Sequence, residues 1–122
     1  MAEISFRQAL NDTLREELLR DENVFLMGEE IGIFEGSYKI TAGLLKEFGP
    51  KRVVDTPIAE NGFVGMAVGA AMLGLRPVVE IMTFNFIALA MDEILNHAAK
   101  IYYMFGGQTP VSLVIRTPGG GG

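Results

Sequence analysis

The sequence predicts an α/β domain, a parallel sheet flanked by helices. Three observations predict it. Short, wholly apolar runs alternate along the chain with segments of helical periodicity. The connections between them are short, as βαβ units require. The apolar runs have no polar alternate face, which suits strands covered on both sides. The 122 residues suffice for one domain, and with 49% of them hydrophobic a packed core is expected and disorder is not.

Each element has a local reason. Ser5 to Arg20 reads as a helix with Ser5 as its N-cap and Phe6, Leu10, Leu14 and Leu18 at helical spacing. Val24-Phe25-Leu26-Met27-Gly28 reads as a buried strand, and Glu29 to Tyr38 as a loop carrying Gly32 and Gly36. Thr41 to Phe48 reads as a helix capped by Thr41 and stopped by Gly49-Pro50. Val53-Val54-Asp55 is a strand cut off by Pro57, and Glu60 to Leu73 a helix ended by Gly74. Pro77 to Met82 is a strand, Phe84 to Phe105 a long helix ended by Gly106-Gly107, and Val111 to Ile115 a strand stopped by Pro118. No helix follows that strand before the closing Gly119 to Gly122 run. The domain, taken as residues 1–122, is therefore expected to be incomplete at its C-terminal end.

Composition narrows the function. A formal net charge of −5 argues against a nucleic-acid or anionic-membrane surface, which needs clustered Lys and Arg. The absence of cysteine excludes disulfides, thiolate zinc sites and a cysteine nucleophile. The apolar stretches around 63–75 and 84–90 are too short and too interrupted to span a membrane. The start has no basic region followed by an apolar run, so a cytoplasmic or already processed protein is expected.

In such sheets ligands gather at the carboxyl ends of the strands, here the loops after Gly28, Asp55 and Met82. Glu60 lies at one of these ends and opens a helix. It reads either as a first-turn carboxylate that satisfies free N–H groups or as a functional carboxylate beside Pro57, Ile58 and Ala59. Local context alone favours the first. Phe84-Asn85-Phe86 reads as core packing or as an aromatic wall at the same sheet end, suited to a flat heterocycle. Gly62, Gly65 and Gly69 fall within roughly 60° of one another on the helix. They form a groove about 10 Å long that suits close packing within the domain or between subunits. Their spacing is not a dinucleotide fingerprint, since G-x-G-x-x-G is absent. His97, the one histidine, lacks a second His or any Cys, which favours a packing or surface role over a metal site. Asp92 and Glu93 read as a solvated helix face.

The residues also carry a resemblance. In order along the chain stand Met27-Gly28-Glu29-Glu30, Gly36-Ser37-Tyr38-Lys39, Asp55-Thr56-Pro57-Ile58-Ala59-Glu60, Gly65-Met66-Ala67-Val68-Gly69, Gly74-Leu75-Arg76-Pro77 and Gly106-Gly107-Gln108. This series resembles the amino-terminal part of the beta subunit of the thiamine-diphosphate-dependent 2-oxo acid dehydrogenases, pyruvate dehydrogenase among them. The resemblance implies a pyrimidine-binding domain of the thiamine-diphosphate-binding fold. Glu60 matches the glutamate that hydrogen-bonds N1′ of the aminopyrimidine, and Phe86 an aromatic position beside that ring. Gly65-Met66-Ala67-Val68-Gly69 matches a motif at close subunit contacts. Leu113 matches a position whose backbone carbonyl binds a structural potassium ion.

The resemblance further implies an alpha subunit in an α₂β₂ heterotetramer, which holds the diphosphate and magnesium; the G-D-G motif for those is absent here. A lipoyl-bearing acyltransferase would accept the acyl unit after oxidative decarboxylation. The stretch Met82-Thr83-Phe84-Asn85-Phe86 is more similar to the pyruvate enzymes than to the branched-chain ones. Acetoin or branched-chain 2-oxo acid dehydrogenase beta subunits are the alternatives, as is a non-catalytic assembly module.

Overall fold

A computed structural model describes residues 3–119; the first two residues and the terminal glycines 120–122 lie outside the described part. The elements run α1 (Phe6–Arg20), β1 (Val24–Glu29), α2 (Leu44–Phe48), β2 (Val53–Thr56), α3 (Glu60–Met72) and β3 (Arg76–Glu80). A 3-10 segment (Phe84–Ala90), a π-helical segment (Glu93–Ala98), α4 (Ile101–Met104) and β4 (Val114–Arg116) follow. The four strands form one sheet in the order β2-β1-β3-β4, and every pairing is parallel. The α/β architecture expected from the sequence is therefore present.

Strand alternation divides the core into two layers. Val24, Leu26, Val53 and Val78 pack with Leu14, Leu18 and Leu44 beneath α1 and α2. Phe25, Met27, Val54, Val79 and Ile115 pack with Phe63, Val64 and Ala67 of α3 and with Ile87, Ala90 and Ile94. Gly28, at the centre of the sheet, is required by backbone approach: a Cβ there would lie 2.4 Å from the carbonyl oxygen of Glu80. Among the described residues no helix is long and apolar enough to cross a membrane.

Several local expectations hold. The Ser5 hydroxyl accepts from the Gln8 N–H at 3.2 Å, as an N-cap should. Gly74 takes a left-handed conformation just after α3. Gly106 and Gly107 are both left-handed, and their N–H groups donate to Tyr103 and Tyr102, closing α4 with a Schellman turn.

Others are corrected. The second helix covers only Leu44–Phe48, because the Thr41 hydroxyl does not cap it. That hydroxyl donates instead to the carbonyl of Ile31 at 2.6 Å, and Gly43 takes the N-cap position in a left-handed conformation. Phe6 is 81% exposed, so the apolar face of α1 engages the core only from Leu10 onward. β1 and β2 each continue one residue beyond the expected end, to Glu29 and Thr56, while β3 stops at Glu80 and β4 shifts to Val114–Arg116.

The largest correction concerns Phe84 to Phe105. No single α-helix forms; 3-10, π and α windings succeed one another. The wide turn is carried by the Ala99 N–H, which donates to the carbonyl of Ile94 at 3.0 Å. It seats Glu93 against α3 at Gly65, where an added Cβ would meet the Glu93 carboxylate at 3.1 Å. Glu93 is thus largely covered and not part of a solvated face.

Candidate functional site

The site follows from the same alternation. On β1, Glu29 follows Phe25 and Met27 and faces α3. On β2, Thr56 follows Val54 onto that face, and Thr56 is the register partner of Glu29. Glu60 opens α3 four residues later. The three residues therefore stand together where the carboxyl ends of β1 and β2 meet the N-terminus of α3.

Each is covered. Glu29 and Glu60 are both 4% exposed. One Glu29 carboxylate oxygen, Oε1, and the Thr56 hydroxyl are buried without a hydrogen-bond partner. Buried polar atoms in native folds are nearly always paired, so two orphans on adjacent strands mark a place built to meet another group. Burial pushes the Glu29 carboxyl above the ordinary carboxylate range, and the charges of Glu60 and Glu30 push in the same direction. Glu60 is the acidic residue in the first turn of α3, where the helix dipole favours a carboxylate, but it does not occupy the N-cap position. The N-cap residue of α3 is Ala59, without a side-chain cap, and the Glu60 carboxylate makes no hydrogen bond among the described residues.

Glu80 provides the contrast. It ends β3 on the opposite face and is also buried, but its carboxylate accepts from the Arg116 guanidinium. Burial raises the Glu80 carboxyl and Arg116 lowers it, with burial the larger effect. Glu80 is a matched internal ion pair. Glu29 has a second acid where Glu80 has a cation. An unmatched buried acid pair at the ligand end of a parallel sheet is the signature of chemistry more than of stability.

This contrast carries a prediction. The folded pKa of Glu29 is raised, so its contribution to stability is full below the ordinary carboxylate range and is lost as pH rises through the folded value. Glu29→Gln in the full-length protein should therefore raise stability at neutral pH by about 1 kcal/mol. The gain should vanish near about pH 4. Urea midpoints at the two pH values check this; an equal effect at both would show that Glu29 is not held in a dry environment.

Phe84 and Phe86 are 58% and 42% exposed, so core packing is not their role. They lie after β3, at the same sheet end as Glu60, together with exposed Ile58 after β2. Leu113 lies elsewhere. It is half-buried and directly precedes β4, which places it at the amino end of the sheet. His97 Nδ1 lies 3.0 Å from the Glu93 carboxylate and 3.9 Å from that of Asp92, a cluster at the start of the π-helical segment. Two open clefts of about 700 and 820 Å³ lie on the α1 side, and Glu29, Glu60 and Phe86 line neither.

Sequence reasoning named Glu60 and Phe86 as candidates but gave Glu29 and Thr56 no role. The available signal was the period of two: a strand one residue longer carries Glu29 onto the α3 face.

Known proteins resemble the chain over nearly its whole length. Residues 2–122 match the family described as transketolase, pyrimidine binding domain. Over 118 residues the chain is 58% identical to the pyruvate dehydrogenase E1 component subunit beta of Rickettsia bellii, covering 97% of this chain and 36% of that protein. It is 57% identical over 120 residues to the corresponding subunit of Rhizobium meliloti, covering 98% of this chain and 26% of that one. The human mitochondrial subunit is 55% identical over 118 residues, covering 97% and 33%. The chain thus spans about a third of the length of most of these relatives and about a quarter of one. An all-parallel sheet, acids buried at its carboxyl end and a match over residues 2–122 agree: the chain belongs to the transketolase pyrimidine-binding domain family.

Proposed function

We propose that the chain is the pyrimidine-facing part of the beta subunit of a thiamine-diphosphate-dependent enzyme that oxidatively decarboxylates pyruvate. The observation that carries this reading is the buried pair Glu29 and Glu60 with its orphaned acceptor and hydroxyl. An aminopyrimidine offers a ring nitrogen that takes a proton and an exocyclic amine that gives one, so it suits a dry acidic surrounding. Glu60 would hold the proton at N1′, and Phe86 would cover the ring with a flat apolar surface and exclude water. When bound, the cofactor supplies the electron sink that decarboxylation of a 2-oxo acid requires.

The rest of the machinery belongs to other chains in this proposal. An alpha subunit holds the diphosphate and magnesium within an α₂β₂ assembly. The exposed face of α3, with Met66 62% and Leu73 87% exposed beside Gly62 and Gly69, is available for subunit contact. A lipoyl-bearing acyltransferase receives the acyl unit, and the backbone carbonyl of Leu113 contributes to a potassium site away from the acid pair. A cytoplasmic location is part of the same proposal.

Reconstitution tests it. The full-length beta chain mixed with its alpha partner and thiamine diphosphate should turn over pyruvate faster than branched 2-oxo acids or acetoin, and neither chain alone should do so. A preference for acetoin or branched substrates would move the assignment to those relatives. Cofactor-independent assembly without turnover of any of the three would leave a non-catalytic module.

A further inference from the structure

Asp55 stands one residue before Thr56, the last residue of β2, and alternation turns it to the opposite face from the acid pair. Its two carboxylate oxygens are engaged by successive backbone N–H groups of the loop after β1. Oδ1 accepts from Gly32 at 2.6 Å and Oδ2 from Ile33 at 3.0 Å. The fit is close, because a Cβ on Gly32 would lie 2.8 Å from Oδ2 and 3.0 Å from Cγ. A carboxylate held by two adjacent N–H groups makes stronger bonds than a neutral acceptor would.

The gripped loop is costly to form. Glu30, Glu35 and Lys39 are left-handed without being glycine, at φ 52°, 65° and 56°. Such conformations persist only where surrounding contacts impose them. The Gly36 N–H donates to the Glu30 carbonyl at 2.9 Å, the Glu35 carboxylate accepts from the Gly43 N–H at 3.0 Å, and Thr41 holds the Ile31 carbonyl. All three tie the loop to itself or to the start of α2. Asp55 ties it to the neighbouring strand, three residues beyond Glu29.

We infer that Asp55 is a positioning residue that clamps the loop against the end of β2 and thereby keeps Glu29 in its dry place beside Glu60. Glu29 is bracketed by the β1–β2 ladder on one side and by the clamp on the other. Release of the clamp lets the loop lift and water reach the Glu29 carboxylate. The consequence for turnover rests on the function proposed above; the consequence for the loop and for Glu29 does not.

The test uses the full-length beta chain assembled with its alpha partner. In Asp55→Ala, amide hydrogen exchange over residues 30–38 should speed up roughly tenfold or more, while α3 is unchanged. In that background Glu29→Gln should no longer shift the urea midpoint at neutral pH, because Glu29 is already hydrated. A general loss of stability would not remove that dependence. The kcat for pyruvate should fall roughly tenfold with KM changed less than about twofold. Asp55→Asn, which keeps one acceptor, should fall between wild type and Asp55→Ala on each measure. Unchanged loop exchange would overturn the clamp, and a Glu29→Gln shift that survives Asp55→Ala would overturn its action on Glu29. If Glu60→Gln proves silent while both effects of Asp55→Ala appear, the clamp stands and the cofactor reading fails.

Discussion

A full-length beta chain carrying Glu60→Gln should assemble normally with its alpha partner and turn over pyruvate about 10²–10⁴-fold more slowly. The substitution is nearly isosteric, so the packing around a side chain 4% exposed is preserved. The carboxylate makes no hydrogen bond among the described residues that the fold would miss. What glutamine cannot do is share a proton with a ring nitrogen, and in a site closed to water no solvent group substitutes. The loss should therefore appear in kcat and in the rate of hydrogen–deuterium exchange at C2 of bound cofactor, with assembly by size-exclusion unchanged. Wild-type turnover by this variant would remove Glu60 from the chemistry. Loss of assembly would make it a structural residue, against the absence of any bond that holds it.

Much of the sheet was legible in the sequence because parallel strands covered on both faces must be apolar throughout. Every expected strand forms, with ends displaced by one to three residues. That small displacement decided the site. A strand that stops at Gly28 leaves Glu29 in a loop; one residue more buries it beside Glu60. Register across a ladder is a long-range property, and the run of residues before Glu29 does not contain it. The same limit applies to Thr41, whose hydroxyl serves a carbonyl ten residues earlier instead of its own helix. The segment from Phe84 to Phe105 has an apolar pattern compatible with one α-helix. Its π turn comes from tertiary fit, the seating of Glu93 at Gly65, which no local propensity encodes. Glu60 itself was visible as a carboxylate at a strand–helix junction, but its neighbours alone pointed to capping. Only the ordered series of markers pointed to a cofactor, and the structure adds the second acid that a cap would not need.

Arg52→Ala should destabilise the protein by about 3 kcal/mol. The Arg52 guanidinium sits where α1, β1 and β2 converge. Its Nε donates to the Val24 carbonyl at 2.6 Å, and its Nη2 to the carbonyls of Leu18 and Asp21 at 2.8 and 2.9 Å. Leu18 and Asp21 lie at the C-terminus of α1, where unpaired carbonyls and the negative end of the helix dipole favour a cation. Val24 is the first residue of β1. One side chain thus satisfies the end of a helix and the start of the central strand, and its own backbone carbonyl accepts from the Leu26 N–H at 2.8 Å. Alanine would leave all three carbonyls without this donor in a partly buried place. Lysine would restore less than half of the loss, because a single ammonium on a flexible stem does not reproduce the fork that spans them. The effect should be confined to stability: the acid pair lies at the carboxyl end of the sheet and Arg52 at the amino end, so kcat measured well below the melting temperature should change less than about twofold. The first unfolding transition in urea, followed with and without the substitution, gives the number. A shift below about 1 kcal/mol would mean that water replaces the guanidinium without cost and that the junction is held by its apolar contacts alone.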